Sequence, residues 1–248
     1  MAKKLIASAA FAGFAAGLLT ILLQFAFVRP LLLQAELYEN GTLVHVAQTG
    51  GHDHSAHDHG AEPAQTPEHD HASHDHGAMG SSFSFELDRD GLSLVFSIFI
   101  YVGYGLMLVA GFSMAEGRGA EITARTGLLW GLAGFIAISL MPSFGLPIEM
   151  PGSAGADVTA RQIWWIGTTA CTALALWSFA YGRGAMQIVL GIIVLIAPHL
   201  IGAPQPEVFY GPTPPELSSL YASRALVTAL AGWVVLGTLA GYFWQQEP

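Results

Sequence analysis

Charge is what this 248-residue chain has least of: only 11% of its residues are Asp, Glu, Lys or Arg. Soluble domains run near about a quarter, so a water-facing shell for a globular domain of this size is missing. Lys and Arg total 9 against 18 acids, which excludes the basic patch that nucleic acid needs. A single cysteine, Cys171, rules out an internal disulfide and any CxxC metal site. It stands in an apolar run, where a thiol reads as a buried, inert packing group. There is no GxxxxGK[ST] phosphate loop, so any ATP use belongs to another chain. Nor is there an HExxH or similar compact ligand set of the kind a metalloenzyme uses. The chain is expected not to be an enzyme and to hold no permanent cofactor.

Apolar residues, by contrast, make up 52% of the chain, and mean hydropathy is positive. Six stretches are long enough to cross roughly 30 Å of hydrocarbon as helices: 5–28, 92–114, 122–141, 163–181, 185–203 and 225–244. The third is diluted by Gly127, Gly131 and Gly134 and is expected to end at Pro142. Only Gly182-Arg183-Gly184 joins the fourth to the fifth, which predicts a tight antiparallel hairpin. The first run is longer than a signal-peptide core and is followed by Arg29-Pro30, so it reads as an uncleaved anchor. Small residues four apart, Gly13/Gly17, Gly127/Gly131 and Gly237/Gly241, mark close helix contacts. The fold class is therefore an all-α integral membrane protein: a bundle of six transmembrane helices, or five if one is merged or dropped, with one long His-rich outer loop. Residues 1–39 carry the first helix and its juxtamembrane segment, 40–85 the loop, and 86–248 the other five helices.

Orientation follows from basic residues. With the amino terminus inside, Lys3, Lys4, Arg118, Arg125 and Arg183 are cytoplasmic, and Arg29, Arg89, Arg161 and Arg224 lie outside. Six spans then put both termini in the cytoplasm and the loop in the periplasm.

The loop carries the densest chemistry. GHDHSAHDHG recurs 17 residues later as EHDHASHDHG. The repeat supplies His52, His54, His57 and His59, then His69, His71, His74 and His76, interleaved with Asp53, Asp58, Asp70 and Asp75. Residues 40–82 are so poor in aliphatic side chains that they cannot offset the entropy of ordering, and disorder without a ligand is expected. Imidazole with carboxylate suits borderline divalent ions such as Zn, Ni, Co and Cu. A flexible loop imposes no geometry, so it should capture several metals with modest selectivity. Its expected role is to concentrate metal at the outer mouth. Capture should weaken below an imidazole pKa of about 6.5, since a charged imidazole cannot ligate.

Polar residues also gather at the outer ends of the spans. Gln24 is followed by RPLLLQAELYE with Glu36 and Glu39; the next outer loop carries Glu149, Asp157, Arg161 and Gln162 beside Trp164-Trp165. The fifth span ends in APHLIGAPQPE with His199, and Glu216 and Arg224 precede the sixth. An ionisable group at membrane depth is a functional candidate by default. His199, Glu36, Glu149 and Glu216 are candidates for a shared vestibule in which a divalent metal ion exchanges part of its water shell. Gln162 stands beside them, and Arg161 is expected to hold Glu149 or Asp157. The two tryptophans read as an interfacial belt. Prolines at 142, 147, 151, 198, 204 and 206 break helices where a watery vestibule tolerates loose backbone. The inner half offers no membrane carboxylate, which argues against proton-coupled antiport and for a partner that completes the path.

QFAFVRPLLLQAELYE, GLPIEMPG, RQIWW and PHLIGAPQP, in that order, resemble the CbtA family of probable cobalt transporter subunits. The resemblance runs through nearly the whole chain, interrupted by the histidine loop. It implies a bacterial inner-membrane protein associated with cobalamin synthesis, and a small single-span partner, CbtB, with a His-rich terminus. The family is usually described with five spans, and its histidine motif is chiefly ascribed to the small partner. The leading reading is a membrane subunit of a divalent metal uptake system, cobalt above all. The alternative is a membrane metal sensor or assembly protein that moves nothing.

Overall fold

The structure, a computed structural model, describes residues 2–44 and 87–246. Helix α1 (Ala2–Leu23) widens into a π-helical segment (Gln24–Val28) and continues as α2 (Arg29–Glu39). After the loop come α3 (Leu87–Glu116) and α4 (Ala124–Phe135), which passes through a second π segment (Ile136–Leu140) into the single turn α5 (Met141–Ser143). Helices α6 (Val158–Tyr181), α7 (Ala185–Ile201) and α8 (Pro215–Gln246) complete an all-helical chain with no strand among the described residues. Five helices are long and apolar enough to cross a membrane; α7, at 17 residues, is shorter. At 1.5 Å per residue it reaches about 26 Å. The bundle of five to six spans expected above is therefore present, and the histidine repeat lies outside the described residues.

Boundaries differ from expectation at both kinds of end. The first helix runs to Glu39 instead of stopping near 28, because α2 buries Leu31 and Ala35 in a second small core with Met150 and Leu217. Helix α8 starts ten residues earlier than 225, at Pro215, for the same reason: Leu217 belongs to that core. Loop-end segments of three parts of the chain thus form a packed cap.

Helix α1 lies between α3 and α8, with Ala9, Ala12 and Ala16 fully buried, and α4 lies along α8. Glycine makes both contacts possible. A methyl built on Gly13 would meet Val102 Cα at 2.5 Å, and one on Gly17 would meet Ile98 Cα at 2.7 Å. On α4, Gly127 and Gly131 press directly on Gly237 and Gly241 of α8, backbone against backbone. All three glycine pairs read from the sequence are helix contacts. Helices α6 and α7 form the expected hairpin, closed by the Ser178 hydroxyl donating to the Gln187 carbonyl at 2.9 Å. Gly184 and Gly202 bound α7 with φ of 92° and 88°, a left-handed region that other residues resist. The hairpin leans on α4, its π segment and α5. Most of the α7 surface is exposed and aliphatic, from Met186 to Ile201, as a lipid-facing helix requires.

The π segments share a register. Each spans five residues and is followed by one residue and then a proline, Pro30 or Pro142. Proline lacks an N–H and its ring crowds the carbonyl four residues back. A widened turn relieves that crowding, and π turns and proline are recognised causes of helix bending. Pro142 lies in the last turn of the third span, which ends one residue later at Ser143, close to where the sequence placed the stop. Freed carbonyls find donors: Arg224 Nη1 donates to Phe27 O at 3.1 Å, and the Ser143 hydroxyl donates to Leu140 O at 2.7 Å.

The bundle has two distinct ends. At the loop end the chain leaves after residue 44 and returns at 87. At the other end Trp244 Nε1 donates to Glu116 Oε1 at 2.5 Å, and Phe11 packs on Phe243. Ala7 and Ser8 line a small pocket with Gln246, so the first and last helices finish together.

Candidate functional site

Every candidate side chain outside the histidine repeat sits at the loop end, carried there by a helix terminus or by the cap. The Asp157 side chain accepts from the Ala160 N–H at 2.8 Å and so starts α6 as its N-cap. With Asp157 engaged, Arg161 Nη2 pairs with Glu149 Oε2 at 2.9 Å, both groups being about one-third exposed. Glu149, Arg161 and Gln162 line one open cleft of about 650 Å³, with Trp165 on its wall.

His199 lies elsewhere. Its ring sits edge-on to Trp164 and Phe144, at centroid distances of 5.8 and 6.5 Å. Nε2 is buried and has no protein hydrogen-bond partner. Met141, Gly145, Ala203 and Gln205 complete an open pocket of about 430 Å³ around it. Trp164 is buried, and its Nε1 donates to the Pro198 carbonyl at 3.1 Å. It is thus not an interfacial belt residue as expected. Only Trp165 faces outward, because successive residues on a helix point some 100° apart.

Glu36 is half-buried on α2, and Glu216 is exposed in the first turn of α8. Neither lines the Glu149 cleft or the His199 pocket. Among the described residues, no three His, Cys, Asp or Glu side chains are grouped so as to hold a metal ion. The structure brings together Glu149, Arg161 and Gln162, and keeps His199 in an aromatic pocket of its own. The eight clustered histidines and four aspartates of the repeat lie outside the described residues. Cys171 is half-buried on α6.

Two features of this face were not read from the sequence. Arg29 Nη1 pairs with Asp90 Oδ2 at 3.0 Å, joining α2 to α3 across the loop, with the Asp90 side chain only 4% exposed. Their separation of 61 residues, spanning the repeat, hides them from any local pattern. The second is the pair of π segments, for which the only signal is a proline two residues beyond each.

No curated protein and no solved structure matches the chain. A protein-family model does match, over residues 2–245, and its description is "probable cobalt transporter subunit". With the fold as described and a match over essentially the full length, the chain belongs to the CbtA family.

Proposed function

We propose that this chain is the membrane-spanning subunit of a system that takes up divalent metal, cobalt above all, across a bacterial inner membrane. The loop end faces the periplasm, both termini face the cytoplasm, and the 40–82 loop captures metal for the face beneath it. The family match over residues 2–245 carries the reading. The duplicated HDHxxHDHG sequence, tethered to the bundle at that face, supports the capture role.

Below the loop, Glu149 offers a carboxylate and Gln162 an amide oxygen in one cleft, and His199 offers an unpartnered ring nitrogen in a separate aromatic pocket. These are single transient ligands rather than a cage. Arg161 holds Glu149 in place, a supporting role of the kind that tunes a metal ligand. A chain that must release its cargo benefits from weak sites, since tight binding would stop conduction. The system includes a small single-span His-rich subunit that shares the capture role.

The test is cobalt accumulation by cells with and without the chain. Replacing the eight clustered histidines by Ser should reduce accumulation when cobalt is scarce and leave it nearly unchanged when cobalt is plentiful. His199→Ala and Glu149→Gln should lower it at every concentration, with protein levels unchanged. Accumulation that is indifferent to the chain itself would leave the sensor or assembly role standing instead.

A further inference from the structure

Between α3 and α8, in the half of the bundle nearer the loop, runs an open groove of about 500 Å³ that the two π segments also line. Leu92, Phe96, Ile100 and Ala229 give it apolar walls, and four polar side chains interrupt them. Gln24 comes from the first π segment and Ser139 from the second; Ser93 and Ser97 come from α3. Polar side chains within a span face a protein interior or water, since hydrocarbon offers them no partner. Both departures from α-helical pitch thus contribute an oxygen-bearing side chain to one cavity, and π turns are frequent at functional sites. The Ser97 hydroxyl donates its proton to the Gly17 carbonyl at 3.3 Å, which leaves the lone pairs of that oxygen to accept.

The floor of the groove is aromatic. Tyr104 and Trp233 stack at 4.8 Å with their planes 23° apart. The same two rings also line a second cavity, of about 250 Å³, in the other half of the bundle. That cavity is walled by Met107, Trp130, Trp177 and aliphatic groups, with Thr169 the polar exception. A polar basin and a dry one therefore meet at a single aromatic pair.

We propose that the groove is a water-filled station for a hydrated divalent cation, closed on its inner side by the Tyr104–Trp233 stack. The proposal rests on the uptake reading above and locates the step within the membrane. Size fits: an ion with six waters occupies roughly 180 Å³ at about 30 Å³ per water, well inside the groove. Chemistry fits as well. Amide and hydroxyl oxygens bind the water shell without stripping it, and neutral donors keep occupancy weak enough for release. Near the mouth Arg29 is neutralised by Asp90, while Arg224 turns its guanidinium to the Phe27 carbonyl. An apolar constriction below gates by excluding water.

The experiment uses the full chain in membranes with Cys171→Ser and one new cysteine at a time. A cationic methanethiosulfonate reagent is applied from the loop-end side. Ser93→Cys and Ser139→Cys should be modified, and millimolar Mg²⁺, which keeps its waters and has little affinity for thiols, should slow the reaction severalfold. Ala133→Cys, in the dry cavity, should react at least tenfold more slowly until Tyr104→Ala is added. In cobalt accumulation, Gln24→Leu and Ser139→Leu should each cause a tenfold or greater loss at all concentrations. A groove filled by lipid would leave Ser93→Cys and Ser139→Cys unmodified and overturn the proposal. So would labelling unaffected by Mg²⁺, or leucine variants that accumulate cobalt normally. Labelling is read without transport: a chain that accumulates no cobalt but shows Mg²⁺-protected cysteines sinks the uptake reading and leaves the station standing.

Discussion

At the scale of single residues, the strongest constraints come from side chains that are absent. Gly127, Gly131, Gly237 and Gly241 let two backbones touch, so Gly237→Val must push α8 away from α4. Overpacking of this kind costs about 1–3 kcal/mol, and a lower unfolding temperature in detergent should show it. Trp164→Phe keeps the ring beside His199 and removes the N–H that the Pro198 carbonyl accepts. A buried acceptor left alone costs about 1–3 kcal/mol, so this variant should be less stable in the same assay. Arg161→Gln should change stability by less than about 1 kcal/mol, as half-exposed pairs do, while reducing cobalt accumulation through Glu149. The glycine contacts were legible because spacing of four encodes one helix face. The burial of Trp164 was not, because Trp164 and Trp165 are identical in composition and differ only in which side of α6 each occupies. Nor was the Arg29–Asp90 pair, whose partners are neighbours only after the bundle has formed.

At the scale of elements, six apolar runs announced six helices, or five if one is dropped, and the described residues show them in order, five long enough to span and α7 shorter. Their ends did not follow hydropathy, because α2 and the start of α8 are amphipathic and held by the cap instead. The stop that proline suggested at 142 stands to within one residue: a π turn precedes Pro142 and the helix ends at Ser143. The elements differ in how firmly they are held. Helices α1, α3, α4 and α8 share one core, while α7 touches α6 almost exclusively. Local opening is cheapest where buried contacts are fewest. Amide exchange in lipid nanodiscs, normalised for lipid protection, should therefore be faster in the hairpin turn and the adjoining half of α7 than in α1 or α8. Equal protection would mean that the hairpin is anchored by contacts beyond those of this chain.

At the scale of the whole molecule, the proposed capture loop and the bundle are separable. Among the described residues the core is built from positions 5–38 and 101–244, and residues 40–82 are poor in aliphatic side chains, so a short Gly/Ser linker in place of 48–80 should leave folding and membrane insertion intact. Metal retention by the intact chain should fall as pH drops through about 6.5, because neutral imidazoles gain protons and cease to ligate. The loopless chain should lack that dependence, which equilibrium dialysis with cobalt would reveal. The glycine seams carry a last consequence, and it is mechanical. Helix α1 is joined to α3 at Gly13, Gly17 and Gly105, and α4 to α8 at Gly127, Gly131, Gly237 and Gly241. Backbone held against backbone has no rotamers with which to slide, so each pair behaves as a plate. The plates meet along α1 and α8, where Gly232 leaves room for the hydroxyls of Thr20 and Tyr101. The groove is lined from both plates, by Gln24 and α3 on one side and by Ser139, Ala229 and Trp233 on the other. Widening it thus needs no helix to bend: a few degrees of rocking about the α1–α8 line would spread its rim, as a book opens on its spine.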